Sequence, residues 1–334
     1  MKGKVRIIDV AQKAGVSVTT VSQILNGKGE RFSQATQDKV RKIRDELGYV
    51  PDFNARNLIM GFAKTIGIII PNITNPFFAT FVRGVEVAAQ RGDFIPLVLS
   101  GNGNPDLERQ YVEQLIQRTV DGLIIASPAV NKDTIDHFLK ANGVPYLLID
   151  QNPLDDGDRV STDDYLGAKL AVEHLIELGH KRIAMLYCDK PSVNQAQRLQ
   201  GYKDQLQSAG LELTDDLIVT GPLSKLGGYQ ASEQVLQTKA SAVFAVNDEM
   251  AIGLYRGLNE RGLEVPADLS IVGYDNIDLS EYVNPPLTTI AQPVFEMGQV
   301  AFRTLLQRIE QPDAPAQKIK LPVELVVRES SRKV

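Results

Sequence analysis

Side chains that can bind a polyhydroxyl ligand recur at the ends of strand-like runs in this 334-residue chain. Apolar runs such as TIGIIIP and VPYLLID are followed closely by amides, carboxylates or aromatic rings. Carboxylates accept hydrogen bonds from hydroxyl groups, amides and guanidinium groups bond others, and aromatic faces cover C–H groups. We therefore predict a ligand site made of Asn75, Phe77, Phe78, Asp150, Gln151, Arg198, Asn247, Asp275 and Gln292.

The elements that position these side chains alternate between strand-like and helix-like runs from Lys64 onward. The predicted helical stretches include 76–91, 105–118, 164–178, 193–209 and 247–262. Such alternation predicts parallel sheets with helices on both faces. The length suits two doubly wound sheets, and a ligand is then expected in a cleft between two lobes, where the carboxyl ends of the strands converge.

The first 50 residues predict a small all-α unit instead. Asp9–Ala14 has the pattern of a first helix that ends at Gly15, and Ser17 can cap a second helix over Val18–Leu25. A third helix is predicted at about Ser33–Leu47. Two short helices joined by a glycine-containing turn make a helix-turn-helix, whose second helix enters the DNA major groove.

The outward side chains of the second helix are short, polar or β-branched. A glutamine can pair with adenine, and threonine or valine methyl groups can meet a thymine methyl group. An arginine at the start of the first helix can meet a phosphate. We predict DNA contacts from Arg6, Ser17, Val18, Thr19, Thr20, Ser22, Gln23 and Asn26.

The charge distribution supports a nucleic-acid partner for the first unit alone. The whole chain has a net charge of −5. Residues 1–64, however, hold 12 lysines and arginines against 6 acidic residues, whereas the remainder holds 24 against 35. A basic head on an acidic body is typical of phosphate-backbone binding by the head.

The segment IIDVAQKAGVSVTTVSQILNGKG resembles the head of the lac repressor family, and NARNLIMG resembles its hinge. The resemblance implies that residues 51–62 form a helix on DNA, where Leu58 wedges into the minor groove beside Ala55 and Arg56. An apolar wedge kinks the duplex, and two such hinges imply a homodimer on a near-palindromic operator. Two positions depart from the family pattern, which usually has threonine where Arg6 stands and arginine where Gln23 stands.

The body resembles periplasmic sugar-binding proteins, with the chain expected to cross between lobes near residues 162, 292 and 323. This predicts one lobe from 63–162 with 293–323, and a second from 163–292 with 324–334. The site residues match the pattern of ribose-responsive members of the family, which implies ribose or a similar small sugar. Gln151 departs from the periplasmic sugar-binding pattern, in which an arginine follows the aspartate.

Other functions remain open at this point. A catabolite-control regulator, which responds to a phosphorylated carrier protein, has the same head and hinge. A purine corepressor is a third option, which the set of Asp150, Arg198 and Asp275 fits less naturally. The sequence contains no phosphate-binding glycine loop and no nucleophile elbow, so we expect no enzyme activity and no cofactor. The single cysteine, Cys188, excludes a cysteine-based metal site, and no metal is expected.

No membrane-spanning run and no signal-peptide pattern are seen, so we expect a cytoplasmic protein without a membrane partner. The resulting hypothesis is a dimer whose sugar-binding cleft controls hinge order and thereby DNA affinity. The sequence leaves the sign of that control open, because corepressors act through the same architecture.

Overall fold

The computed structural model describes residues 5–50 and 62–334, which belong to two compact units divided after Ala63. The predicted hinge contacts of Ala55, Arg56 and Leu58 lie outside the described residues. The predicted fold class is confirmed: a small all-α unit precedes an α/β body with two sheets.

The first unit consists of three helices, α1 (Ile7–Ala14), α2 (Val18–Leu25) and α3 (Gln34–Leu47). The second and third helices agree with the prediction, but α1 begins two residues earlier than Asp9. The reason is local: the Asp9 carboxylate accepts a hydrogen bond from the backbone N–H of Arg6 at 2.7 Å, so Asp9 closes the first turn rather than preceding it.

A small apolar core holds these three helices together. Its buried members are Val10, Ala11, Ala14, Val21, Ile24, Val40 and Ile43. Gly15 and Gly48 end α1 and α3 with φ of 71° and 63°, the left-handed conformation that glycine adopts without strain. Gln37 stabilises the connection between α2 and α3. Its amide donates hydrogen bonds to the backbone carbonyls of Gly29 and Phe32 at 3.0 Å each.

The body contains two six-stranded sheets. Along the chain its strands are β1 (Thr65–Ile70), β2 (Ile95–Ser100), β3 (Gly122–Ile125), β4 (Tyr146–Ile149), β5 (Asp158–Thr162), β6 (Ile183–Cys188), β7 (Ile218–Gly221), β8 (Ala242–Ala245), β9 (Ser270–Asp275), β10 (Thr288–Ala291), β11 (Lys318–Leu321) and β12 (Glu324–Val326). The first sheet has the order β11-β5-β4-β3-β1-β2 and is wholly parallel. The second has the order β12-β10-β9-β8-β6-β7, with only β12 antiparallel.

Helices cover both faces of each sheet, as the alternating pattern predicts. They are α4 (Pro76–Arg91), α5 (Pro105–Gln117), α6 (Lys132–Thr134, continued by a π-helical turn at Ile135–Lys140), α7 (Asp164–Glu177), α8 (Val193–Ser208), α9 (Lys225–Gln237), α10 (Asp248–Asn259) and α11 (Val294–Glu310). Alternate residues of β1 therefore enter different cores: Ile66 and Ile68 pack under α4 and α11, and Ile69 packs under α5.

The chain passes between the two sheets three times. It leaves the first sheet after β5, returns through Gln292 and Pro293 between β10 and α11, and leaves again between β11 and β12. Helix α11 packs on the first lobe, against α4. The site residues of both lobes are therefore brought to the region of the crossovers.

Helices α4 and α11 touch backbone to backbone through two glycines. A Cβ atom added at Gly84 would lie 2.1 Å from the carbonyl oxygen of Phe295, and one at Gly298 would lie 2.2 Å from that of Phe81. Because the obstructing atoms are backbone, no side-chain rotation relieves the contact. These two helices are therefore packed as one rigid pair.

Within the described residues, no helix is long and apolar enough to cross a membrane. Cys188 lies buried at the end of β6, as expected for a small core side chain, and burial raises the pKa of its thiol to about 11.

We expect Gly84→Ala to lower the free energy of unfolding by about 1–3 kcal/mol, because the added methyl group forces the helix pair apart. Ala79→Val, on the exposed side of the same helix, adds carbon without this contact and is expected to cost only about a few tenths of a kcal/mol. Chemical denaturation measures both changes. Equal effects would contradict the tight helix crossing.

Candidate functional site

The DNA-binding positions predicted on the head, apart from Arg6, lie in α2 or at its two ends, and each is exposed or partly exposed. Ser17, Val18 and Thr19 are exposed, whereas Val21 and Ile24 on the other face are buried. The hydroxyl of Ser17 accepts a hydrogen bond from the Thr20 N–H at 3.0 Å and so caps α2 as predicted. The first turn of α2 therefore offers short side chains to a groove.

Arg31 joins this face and was not found from the sequence. Its guanidinium donates to the side-chain oxygen of Gln23 and lies 5.0 Å from the centre of the Phe32 ring. The bond uses one acceptor site of the Gln23 side-chain oxygen, and the NH2 group of Gln23 remains a donor. On the same helix, the Asn26 amide donates to the Ser22 hydroxyl at 3.3 Å. Arg6 is exposed at the N-terminus of α1.

In the body, a narrow pocket forms where strand ends of both lobes meet. Its volume is about 20 Å³, and its lining residues are Asn75, Phe77, Gln151, Asn194, Gln195, Arg198, Leu223, Asn247 and Asp275. Six of the nine predicted ligand-binding residues are thus in its wall. Of the other three, Asp150 and Gln292 are buried in hydrogen bonds described below, with Gln292 also lining a wider cavity beside the pocket, and Phe78 lies in the core of the first lobe. Phe77 and Phe78 meet edge to face, with ring centres 5.1 Å apart.

Two of the wall's amides face the pocket because helix ends hold their oxygens. Asn75 caps α4, where its side-chain oxygen accepts from the Phe77 N–H at 2.9 Å. Asn247 caps α10 in the same way, accepting from the Met250 N–H at 3.0 Å. With the oxygen used as a helix cap, the NH2 group of each amide is left to donate to a ligand.

A closed ring of hydrogen bonds and ion pairs joins two of the crossovers to the second lobe. Thr162 Oγ1 lies 2.9 Å from Gln292 Oε1, and Gln292 Nε2 donates to Asp275 Oδ1 at 2.7 Å. Asp275 Oδ1 lies 3.5 Å from Arg198 Nη1, and Arg198 Nε donates to Asp164 Oδ1 at 2.7 Å. Asp164 Oδ2 lies 3.3 Å from Thr162 Oγ1 and closes the ring. All five side chains are buried.

Thr162 is also hydrogen-bonded to Asp150. The contacts around its hydroxyl group need one more hydrogen than that hydroxyl supplies. Asp150 Oδ2 accepts from the Thr162 N–H at 3.0 Å and lies 2.9 Å from its hydroxyl oxygen. That hydroxyl, with one hydrogen, thus faces three acceptors, on Asp150, Asp164 and Gln292. Burial, and then the charge of Asp164, raises the pKa of Asp150 to about 7. A protonated carboxyl group supplies the missing donor.

The Arg198 guanidinium contacts a carboxylate, a backbone carbonyl and an aromatic ring. Besides its bond to Asp164, its Nη1 donates to the Val246 carbonyl at 2.7 Å, and its guanidinium carbon lies 3.6 Å from the centre of the Tyr274 ring. Burial acts to lower the pKa of Arg198, but the carboxylates of Asp164 and Asp275 outweigh it and raise the pKa. Arg198 therefore remains a charged donor whose charge is already balanced by the protein.

Asp275 reaches the pocket from a constrained backbone. Its φ is 109°, an unusual value for a residue other than glycine. The next turn is fixed by Asp248, whose carboxylate accepts from the Ile277 N–H at 2.9 Å and from the Thr289 hydroxyl at 2.6 Å. Burial raises the pKa of Asp275 to about 7, while Arg198 opposes the shift.

Sequence reasoning missed Asp164, Asn194, Gln195 and Leu223. Asn194 and Gln195 follow Ser192 in a serine-x-x-glutamine pattern that signals a helix start, so a capping search would have found their place. No sequence signal distinguishes Asp164 from an exposed acidic residue, since its burial depends on Arg198 lying 34 positions later.

A second, wider cavity of about 370 Å³ adjoins the pocket and shares Phe77 and Asp275 with it. Among the residues around it are the carboxylates Asp278 and Glu296. The lining thus carries acidic groups close to the ligand site.

We expect the free energy of unfolding of Asp275→Asn, measured relative to that of the unaltered protein, to increase as the pH rises from about 4 to about 7. Because the pKa of Asp275 is higher in the folded state than its ordinary value of 3.8, deprotonation in that interval destabilises the fold. The difference should grow by at most a few kcal/mol, at about 1.4 kcal/mol per pKa unit, and then level off. Denaturation curves at several pH values measure it in the absence of ligand.

Asp278→Asn, which changes an exposed aspartate three residues further on, is the matched control and should show no such trend. A pH-independent difference between Asp275→Asn and the unaltered protein would show that Asp275 titrates normally.

Two family models match this chain. Residues 6–52 match the bacterial regulatory proteins of the lacI family, and residues 172–331 match the periplasmic binding protein-like domain. The ribose operon repressor of Escherichia coli strain K12 is 36% identical over 97% of this chain and 98% of its own length. The transcriptional repressor PurR of Vibrio vulnificus is 35% identical over 98% and 99%. The chain is therefore about equally similar in sequence to these two repressors.

Solved structures show the same fold. A LacI family regulator from Enterococcus faecium with bound ribose has 42% identity and a TM-score of 0.77, covering 81% of this chain and 99% of its own. The lac repressor dimer bound to operator and an anti-inducer has 31% identity and a TM-score of 0.87, covering 99% and 100%. These relatives are transcriptional regulators rather than enzymes.

The head with its exposed α2 face, the two-sheet body and full-length similarity to repressors agree. The chain belongs to the lac repressor family of DNA-binding transcriptional repressors, whose body takes a small effector.

Proposed function

We propose that this protein represses a sugar-utilisation operon and that a small neutral sugar, with ribose as the best candidate, binds in the pocket and controls DNA affinity. The observation that carries the proposal is the pocket wall itself. It combines amide donors on Asn75 and Asn247, a carboxylate on Asp275, a guanidinium on Arg198 and the ring of Phe77. A monosaccharide offers the matching hydroxyl groups and C–H face.

Charge balance favours a neutral ligand over a phosphorylated one. The guanidinium of Arg198 is neutralised by Asp164 and Asp275, and the adjoining cavity adds Asp278 and Glu296. A phosphate group would face these carboxylates without an unpaired cation to bind it. Ribose bound to the Enterococcus faecium regulator supports the same class of ligand.

A ligand can enter the pocket only if the pocket opens. A volume of about 20 Å³ leaves no space for a sugar in this arrangement of the lobes, so binding requires the lobes or the wall to move. A ligand then makes different contacts with the pocket before and after this movement. That difference allows the ligand to shift the balance between the two arrangements. We propose that it changes the order of the hinge, residues 51–62, in a homodimer bound to a near-palindromic operator.

For the head, we propose that the first turn of α2 reads base edges in the major groove. Ser17, Val18 and Thr19 supply short contacts, and Gln23 supplies a donor whose direction Arg31 sets. The dimeric lac repressor bound to operator supports two heads acting together.

A thermal-shift panel of ribose, other pentoses, hexoses, sugar phosphates and purines tests the effector. At about 100 times its dissociation constant a ligand adds roughly 2.7 kcal/mol, which raises the melting temperature by roughly 5–10 °C for a body of this size. We expect this shift with ribose or one close free sugar. Asp275→Ala, which removes an acceptor from the wall, should abolish the shift while DNA binding is retained.

A shift confined to purines or to sugar phosphates would contradict a neutral sugar effector. A panel without any shift would favour the catabolite-control alternative, in which a phosphorylated carrier protein is the signal.

We expect Gln23→Ala to reduce discrimination at one base pair of each half-site, by about 1–3 kcal/mol, because it removes a base-edge donor. Binding to a duplex selected by the protein from a random pool, compared with single-base variants of it, measures the effect. Gln12→Ala, an exposed glutamine on α1, is the control and should leave discrimination unchanged. Identical specificity in both variants would exclude Gln23 from base recognition.

A further inference from the structure

The hydroxyl group of Thr162 lies among more hydrogen-bond acceptors than it can satisfy. Its oxygen is 2.9 Å from Asp150 Oδ2, 2.9 Å from Gln292 Oε1 and 3.3 Å from Asp164 Oδ2. The hydroxyl has a single hydrogen to donate, and an ionised carboxylate has none. At least one of these contacts therefore joins two oxygens without a hydrogen between them, unless a carboxyl group is protonated.

Turning the Gln292 amide over does not remove this need. With its NH2 group toward Thr162, the amide would supply a donor there. Its oxygen would then face Asp275 Oδ1, which now accepts from the amide nitrogen at 2.7 Å. Two acceptors would meet again, and Asp275 would need the proton instead. In either orientation, the ring and the adjoining Asp150 together hold a carboxyl proton.

Burial keeps this proton on the carboxyl groups near neutral pH. Burial raises the pKa of Asp150 and that of Asp275 to about 7, while the charge of Asp164 adds to each shift. The other charged or titratable groups facing these two carboxyl groups are Arg159 on β5, Arg198 on α8, Asp248 and Glu249 on α10, and Tyr274 on β9. Because the carboxyl groups share these neighbours, the proton belongs to the ring rather than to one residue.

The proton is needed in the closed arrangement of the pocket. A volume of about 20 Å³ admits no sugar, so the wall must move before a sugar enters. The sugar then brings hydroxyl hydrogens to Asp275, which lines the pocket. Hydrogen bonds donated to a carboxylate favour its ionised form and lower its pKa. The ligand thus supplies the donor that the closed ring obtains from a proton.

We propose that the effector displaces this proton, so that sugar binding is coupled to the release of a proton from the ring. The inference rests on the proposed sugar-binding function and adds its regulation by pH. The proton passes to the solvent, and sugar hydroxyl groups replace it as donors to the carboxylates. A ligand whose binding releases a proton binds more weakly as the pH falls. Acidification therefore favours the sugar-free arrangement.

The dissociation constant for ribose should fall about tenfold between about pH 6 and about pH 8, because the ring is mostly protonated at the first value and mostly ionised at the second. Calorimetric titration of the full chain, in pairs of buffers with different ionisation enthalpies, counts the released protons. We expect about 0.9 proton per sugar at about pH 6 and about 0.1 at about pH 8. Free ribose has no group that titrates in this interval.

Asp164→Asn tests whether the ring is the source of the proton. Asp164 does not line the pocket, and an amide at this position keeps an oxygen for Arg198 Nε. Its NH2 group can donate to the Thr162 hydroxyl, and the loss of the Asp164 charge lowers the pKa of both Asp150 and Asp275. The pH dependence of ribose affinity should therefore move to lower pH. At about pH 6 the variant should release less than about half as many protons.

His174→Gln is the matched control, because histidine is the side chain that ordinarily titrates in this interval. His174 lies on the same helix as Asp164, but its ring nitrogen contacts the Ser331 hydroxyl. The proton count should not change in this variant. Infrared difference spectra of the unaltered protein need no variant at all. Adding ribose at about pH 6 should remove the C=O band of a protonated carboxyl group.

The outcomes separate the two proposals. If ribose binds with equal affinity at both pH values and no carboxyl band is lost, the inference is wrong and the sugar-binding function stands. A proton count that disappears in His174→Gln and persists in Asp164→Asn also contradicts the inference. If ribose fails, the free sugar with the largest thermal shift is used. If no free sugar binds the unaltered protein, the proposed function fails and the proton coupling fails with it.

Discussion

The buried ring of Thr162, Gln292, Asp275, Arg198 and Asp164 is the constraint on which the body of this repressor depends. It places three ionisable groups out of water, which is unfavourable unless each is paired and hydrogen-bonded. The ring satisfies that condition only when the two lobes meet at these crossovers. The same groups supply the pocket with its carboxylate and its guanidinium, so the interaction that joins the lobes is also the one that a ligand must enter.

The ring is connected to the rest of the first lobe through rigidly packed helices. Gln292 lies two residues before α11, and Asn75 and Phe77 lie at the start of α4. These two helices touch through Gly84 and Gly298 with no space for a side chain between them. A ligand that displaces Gln292 or Phe77 therefore moves the helix pair as a unit, and a rigid pair transmits small movements without absorbing them. This is a physical route from the pocket to a change of lobe orientation.

Much of this arrangement could be predicted from the sequence, and its limits have physical causes. Helix α4 and the strand ends that carry Asn75, Asn247 and Asp275 follow from local signals: apolar periodicity, a proline in the first turn and capping amides. Asp164 could not be predicted, because its role depends on Arg198 in another helix. Phe78 was expected to face the ligand but does not line the pocket. Both rings are buried in the core of the first lobe and only Phe77 also reaches the pocket, a difference that local sequence does not decide. The bond between Arg31 and Gln23 joins a loop to α2, again beyond local reach.

Linkage between sugar binding and DNA binding decides whether the pocket controls the head. The affinity of the full chain for a duplex selected from a random pool is measured by fluorescence anisotropy at increasing concentrations of ribose, and sugar affinity is measured with and without that duplex. If the pocket controls the head, ribose changes DNA affinity by a factor that saturates, and the duplex changes sugar affinity by the same factor. DNA affinity that stays constant while ribose saturates the protein would contradict this control, because the pocket would then bind sugar without affecting the head.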